Sequence, residues 1–251
     1  MQIADANKTL LVRFGTLLLI TSFLTLGACG SNSNAADLPS LPDDTVQEQP
    51  VGDDQAAAQI PQDASANLNA GQREGILQKY SYVDPTRVVP TKALADALVY
   101  FEANKNGFRN QDYISVIDFS KNSSEPRFYI VSMKTGEVWS IRVAHGKGSD
   151  ANHDGFAEKF SNTSGAHASS LGYYRTAETY YGAHGLSLRL DGLSSTNSKA
   201  RSRAVVIHGA NYVQDTNVKQ GRSWGCPAVS MENIQAVIKY LKGGSLIYAV
   251  N

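Results

Sequence analysis

Two side chains near the C-terminus form the pair best suited to making and breaking a covalent bond. Cys226 lies in Gly221-Arg222-Ser223-Trp224-Gly225-Cys226-Pro227-Ala228, and His208 stands 18 residues before it, closing the apolar run Ala204-Val205-Val206-Ile207. A thiol attacks as its thiolate, so it needs a base, and imidazole titrates in the right range. Gly225 allows close approach of backbone to a ligand, and the neighbouring N–H groups can face a developing oxyanion. Arg222 is a cation able to favour the thiolate. A cysteine alone in a glycine-containing loop is more often inert than catalytic, and a histidine at a strand end is usually structural. The ordered combination, His208-Gly209 and then Ser-x-Gly-Cys, is far more specific than either residue.

Other constellations are weaker. Asp150-Ala151-Asn152-His153-Asp154-Gly155 matches the first half of a calcium loop, but position twelve is Ser161 rather than a bidentate glutamate. The reading is a polar turn, with calcium left open. His145, His167 and His184 lack the short spacing of zinc ligands, so no metal is expected. Two cysteines exclude a disulfide-stapled scaffold. Tyr173, Tyr174, Tyr180 and Tyr181 read as packing residues, with Tyr180-Tyr181 able to border a cleft.

The reactive pair needs a frame. The spacing of Leu94, Ala97, Leu98 and Phe101 predicts a helix from Pro90 and Thr91 to about Ala103. Residues 113–118 read as a strand, and 127–133 and 137–144 as a hairpin joined by Lys134-Thr135-Gly136, with glycine where positive φ is wanted. Short strands are expected at 172–176 and 186–190, and a buried one at 204–207 that delivers His208 to a loop mouth. Ser230 is expected to cap a helix running to Leu241, ended by Gly243-Gly244, before a closing strand at 245–250. The fold class is mostly β with peripheral helices.

The chain has 251 residues, 42% of them hydrophobic and 18% charged, a globular balance. Its 23 basic and 23 acidic residues cancel, so nothing points to a nucleic-acid partner. Lys8 and Arg13 precede a short apolar stretch from Phe14 to Ala28, too short to span a membrane and typical of a secretory signal. From 30 to about 72 the chain is polar and holds seven acidic residues, including Asp37 and Asp63, with no Lys or Arg. It reads as a disordered tether with a mean span of about 35 Å. The expected division is a leader at 1–28, a tether at 29–72 and one domain at 73–251.

Leu26-Gly27-Ala28-Cys29 resembles a bacterial lipoprotein processing site, which implies that Cys29 becomes the lipidated first residue of the mature chain. Gly30 stands where an aspartate would resemble an inner-membrane retention signal, so a periplasmic domain anchored to the outer membrane is favoured. With Cys29 lipidated, Cys226 has no intrachain partner, and a lone thiol in an oxidising compartment is a hazard unless buried or used.

His208-Gly209 and Ser223-Trp224-Gly225-Cys226 resemble the catalytic signature of the murein L,D-transpeptidases. The likeness runs from about Ile114 to Val250 and includes Val143-Ala144-His145-Gly146-Lys147-Gly148, the stretch from Ser169 to Thr176, and Leu188-Arg189-Leu190-Asp191-Gly192, as in the family's atypical branch. It implies a mixed β-sandwich or barrel with Cys226 as nucleophile, His208 as base and the Gly209 carbonyl orienting the imidazole. The implied oxyanion donors are the N–H groups of Gly225 and Cys226, with Ser223, Arg222 and Trp224 shaping the pocket. The implied reaction is attack on the diaminopimelate carbonyl of a peptidoglycan stem peptide, release of D-Ala, and capture of the thioester by an amine, without a cofactor. Capture by water, as in an L,D-carboxypeptidase or endopeptidase, and a non-catalytic cell-wall-binding lipoprotein are the alternatives. Many family members carry His where Trp224 stands and a polar residue where Pro227 or Ala228 stands.

Overall fold

In the computed structural model the described residues are 62–251. The leader, Cys29 and the acidic segment as far as 61 lie outside them. The framework is one eight-stranded sheet: β1 Tyr113–Asp118, β2 Phe128–Ser132, β3 Val138–Ile141, β4 Gly172–Gly182, β5 Gly185–Gly192, β6 Val206–Ala210, β7 Ala228–Ser230 and β8 Leu246–Val250. The helices are α1 Ala70–Lys79, α2 Thr91–Ala103 and α3 Ile234–Leu241.

Across the sheet the order is β3-β2-β1-β8-β4-β5-β6-β7. Pairs β1–β8 and β6–β7 are parallel and the rest antiparallel. Beyond β3 the chain reaches the opposite edge. There the Ala144 N–H donates to the Ala228 carbonyl at 2.8 Å, and Gly146 bridges to Ser223. The two edges therefore meet and the sheet nearly closes into a barrel, which removes exposed strand edges.

The central strands are apolar on both faces because each face has something to cover. Ile117, Phe128, Ile130, Ile247 and Ala249 point into a core shared with Ile234, Val237, Ile238 and Leu241 of α3. Their neighbours one residue away, Ile114, Val116, Tyr129, Val131 and Leu246, face Ala93, Leu94, Ala97, Leu98 and Phe101 of α2. Period-two alternation thus splits two cores, each buried apolar side chain contributing about 1.5–3 kcal/mol. Tyr173 joins the outer layer, stacked between Tyr100 at 3.6 Å and Tyr248 at 4.3 Å.

Helix α2, strand β1 and the β2–β3 hairpin stand where the sequence places them, with Gly136 at φ +77 and its α-carbon so close to the Tyr82 carbonyl that a Cβ would lie 2.3 Å from that oxygen. Four differences stand out. Strands β4 and β5 are longer than expected and form one hairpin with Ala183 and His184 at its tip. The outer half of β4 lacks apolar alternation and is held by polar contacts: Arg189 lies 3.3 Å from Glu178 and 4.1 Å from the Tyr180 ring centre. His208 lies within β6 rather than past its end. Ser230 closes β7, and α3 begins only at Ile234; the Ser230 hydroxyl accepts from the Asn233 N–H at 3.3 Å.

The fourth difference is that regular structure begins before residue 73. A 3-10 turn spans Ala64–Asn67, and Asn69 caps α1 in a reciprocal capping box with Gln72. Asp63 caps that turn, accepting from the Ser65 N–H at 2.8 Å, and also holds Asn104 Nδ2 at 3.2 Å. These polar residues are used for capping, which a composition-based reading scores as disorder.

Candidate active site

The parallel pairing of β6 with β7 aligns His208 with Ala228, two residues past Cys226. Cys226 therefore lies in the loop that enters the strand paired with the one carrying His208. His208 is 2% exposed, and its Nδ1 lies 3.1 Å from the Gly209 carbonyl oxygen. A carbonyl can only accept, so Nδ1 carries the proton of the neutral ring and Nε2 is the unprotonated nitrogen. Cys226 is half-buried, and its Sγ lies 3.6 Å from the carbonyl of Ala204 at the foot of β6. From the β4–β5 tip His184 stacks on His208, ring centres 4.2 Å apart and planes 26° apart.

The nucleophile loop is fixed mainly by its own polar groups. Ser223 is buried; its hydroxyl donates to the Cys226 carbonyl at 2.6 Å and accepts from the Gly225 N–H at 3.1 Å. Its backbone pairs with His145 and Lys147 at 2.9 and 2.8 Å. The Gly225 N–H, which the resemblance places among the oxyanion donors, is thus directed at Ser223. Gly225 itself has φ +121, and a Cβ there would lie 2.7 Å from the Ala168 carbonyl oxygen. Glycine is required for approach to the protein's own backbone.

Arg222 is turned away from the role of thiolate partner: its Nη1 donates to the Asp150 carbonyl. That carbonyl belongs to a loop locked by a buried triad. Arg127, 0% exposed, donates to the carbonyls of Val143 and Lys121 and, at 2.7 Å, to His145 Nδ1. With Nδ1 accepting, the His145 Nε2–H donates to Asp150 Oδ2 at 3.1 Å. Burial, then the Arg127 charge, pushes the His145 pKa down to about 4. Burial alone would raise the Asp150 carboxyl, but the N–H of Gly155 and the His145 contact hold it below the ordinary carboxylate value. Both Asp150 oxygens are occupied by such donors, Asp154 N–H included. The 150–155 segment is built as a turn, and among the described residues no group of three or more His, Cys, Asp or Glu is placed to hold a metal.

Trp224 stacks on His167 at 4.5 Å. An imidazole thus lies against the loop where many family members carry their own, supplied from a distant segment. Pro227 and Ala228 lead into β7, and Ala228 supplies the carbonyl that closes the barrel. Tyr174 is internal, its hydroxyl 2.7 Å from the Ser170 carbonyl, whereas Tyr181 is 81% exposed. Sequence reasoning weighed His184 only as a metal ligand and gave it no place against His208. That stacking carries no local signal, because His184 sits at a hairpin tip far along the chain from His208.

Residues 85–250 match the family model described as the L,D-transpeptidase catalytic domain. The chain belongs to that family. No curated protein matches it. Among solved structures, L,D-transpeptidase 1 of Mycobacterium tuberculosis is similar at 16% identity and a TM-score of 0.32, over 56% of this chain and 62% of that one. An L,D-transpeptidase from Mycobacterium smegmatis shows 14% identity and a TM-score of 0.35, over 56% and 59%. The helical cell shape determining protein Pgp2 of Campylobacter jejuni shows 12% and 0.33, over 57% and 48%. In each case the match spans less than two thirds of the other chain. Within this L,D-transpeptidase domain, the segment from β6 to β7 carries both His208 and Cys226.

Proposed function

We propose that the domain is a peptidoglycan L,D-transpeptidase with Cys226 as nucleophile and His208 as base. The observation that supports this reading is the pairing of β6 with β7, which aligns His208 with Ala228, two residues past the half-buried Cys226, together with a buried imidazole whose Nδ1 lies against a carbonyl. His208 Nε2 takes the thiol proton, and the thiolate adds to the carbonyl joining diaminopimelate to D-Ala. The backbone N–H of Cys226 faces the oxyanion. Collapse breaks the C–N bond, and D-Ala leaves with the proton returned by His208. An amine of a second stem peptide then attacks the thioester, His208 takes its proton, and the thiol is restored.

The experiment is muropeptide analysis after incubation with tetrapeptide-bearing sacculi, alongside intact-mass detection of a carbapenem adduct. Diaminopimelate-linked dimers and the adduct are expected for the wild type and absent for Cys226→Ala. Hydrolysed stems without dimers would replace transfer by carboxypeptidase activity, and full function in Cys226→Ala would leave a wall-binding protein. We further propose that Cys29 carries lipid and holds the domain at the periplasmic side of a membrane, the outer membrane being favoured. The support is Leu26-Gly27-Ala28-Cys29 behind a basic and then apolar leader.

A further inference from the structure

Arg203 stands on the turn that precedes β6, its N–H bonded to the Lys199 carbonyl at 2.9 Å. Its side chain runs beneath the nucleophile loop. Nη2 donates to the Ala168 carbonyl at 2.6 Å, and Nη1 to the Ser161 carbonyl at 2.7 Å and to Ser170 Oγ at 3.3 Å. A Cβ on Gly225 would lie 3.1 Å from Nη2, so the guanidinium packs directly against the residue before Cys226. The next residue after Arg203 is Ala204, whose carbonyl is 3.6 Å from Sγ. The guanidinium thus packs on the residue before Cys226 while the backbone next to Arg203 contacts the sulfur itself.

The partners of this cation are two carbonyls and a hydroxyl. Among the described residues no carboxylate pairs with it, whereas Arg142, Arg175, Arg189 and Arg201 each lie within 3.3 Å of an Asp or Glu oxygen. Burial draws the Arg203 pKa down, and the two groups whose negative charge would oppose that are Tyr174 and Cys226. Tyr174 does not supply that charge near neutral pH. Burial pushes its pKa up to about 12, and its hydroxyl donates to the Ser170 carbonyl. Other titratable groups on the elements packed here are His208, His184 stacked on it, His167 against Trp224, Lys147 paired with the Ser223 backbone, and Arg222. Arg222 is directed at Asp150.

We propose that Arg203 is the counter-charge of Cys226: held by Ser161, Ala168 and Ser170 against Gly225, it positions a fixed positive charge that keeps the thiol ionised once its proton has passed to His208. A partly desolvated cation without an anion is unfavourable, and a thiolate beside it relieves that. Arg203 touches no reacting bond; it acts through the sulfur and through the 161–170 segment it ties down. The inference rests on Cys226 being the nucleophile proposed above.

The test is the pH dependence of Cys226 alkylation by iodoacetamide on the full chain, read by peptide mass so that Cys29 does not contribute. The wild-type midpoint is expected below the ordinary thiol value of about 8.5. Arg203→Gln is expected to raise it by about one pH unit or more, and Arg203→Lys, which keeps the charge, to restore most of the shift. An unchanged midpoint in folded Arg203→Gln overturns the proposal. Should that variant not fold, a wild-type midpoint at or above about 8.5 overturns it equally. A low, Arg203-dependent midpoint in a protein that forms no dimers keeps the ion pair and sinks the transpeptidase reading instead.

Discussion

Acid should loosen this domain well before its carboxylates are protonated, and the cause is His145. The ring is 1% exposed, receives an N–H from Arg127 on Nδ1 and spends its own N–H on Asp150. Its pKa is about 4 in the folded protein, against about 6.5 in an unfolded chain. Between those values the unfolded chain binds a proton that the folded one refuses, so unfolding gains as pH falls. The contribution is intact above about pH 6.5 and is lost progressively on the way to pH 4. The whole difference amounts to about 3 kcal/mol, and about 2 kcal/mol of it is lost by pH 5. Urea unfolding between about pH 7.5 and pH 5 measures it above the window in which Asp150, Glu102 and Glu178 gain protons. The control is His145→Gln, which is less stable throughout but has a flatter pH profile. Equal slopes for wild type and variant over this range would refute the assignment of the proton-excluding site to His145. Because Ser223 is bonded to the His145 carbonyl, Cys226 alkylation should change over the same interval.

Two further outcomes follow from local geometry and from the leader. Gly225→Ala forces a Cβ to 2.7 Å from the Ala168 oxygen at a φ of +121, which should cost about 1–3 kcal/mol, lower Tm by several degrees and cut dimer formation by about 100-fold; an unchanged Tm and rate would show that the loop has room. Cys29→Ala should release the domain into the soluble fraction of lysed cells, and retention in the membrane pellet would rule out lipid on Cys29 as the anchor.

What could be read without coordinates divides by the range of the interaction. Helix α2, strand β1 and the Gly136 hairpin are set by local periodicity and turn chemistry, and they stand where expected. The His208-Gly209 and Ser223-to-Cys226 segments were visible because type and spacing together are specific. The partners of each side chain were not. Arg222 looked like the thiolate's cation from its nearness in sequence, yet its guanidinium serves Asp150, and Arg203 reaches the loop from the far side. The N–H of Gly225 was assigned to an oxyanion and is spent on Ser223. Outer β4 was invisible because its cohesion comes from Arg189 across the hairpin rather than from an apolar face. Asp63 and Asn69 counted as linker composition until their hydrogen bonds made them caps.

The seam between Ala144 and Ala228 closes the wall late. Segments far apart along the polypeptide must zip together there before the Ser223 backbone finds His145 and Lys147, and such long-range pairing tends to come late in folding. Until then the loop that carries the sulfur is not braced. A chain still folding therefore carries Cys226 on an unbraced loop, and that loop is completed only as the last gap in the β-wall falls shut.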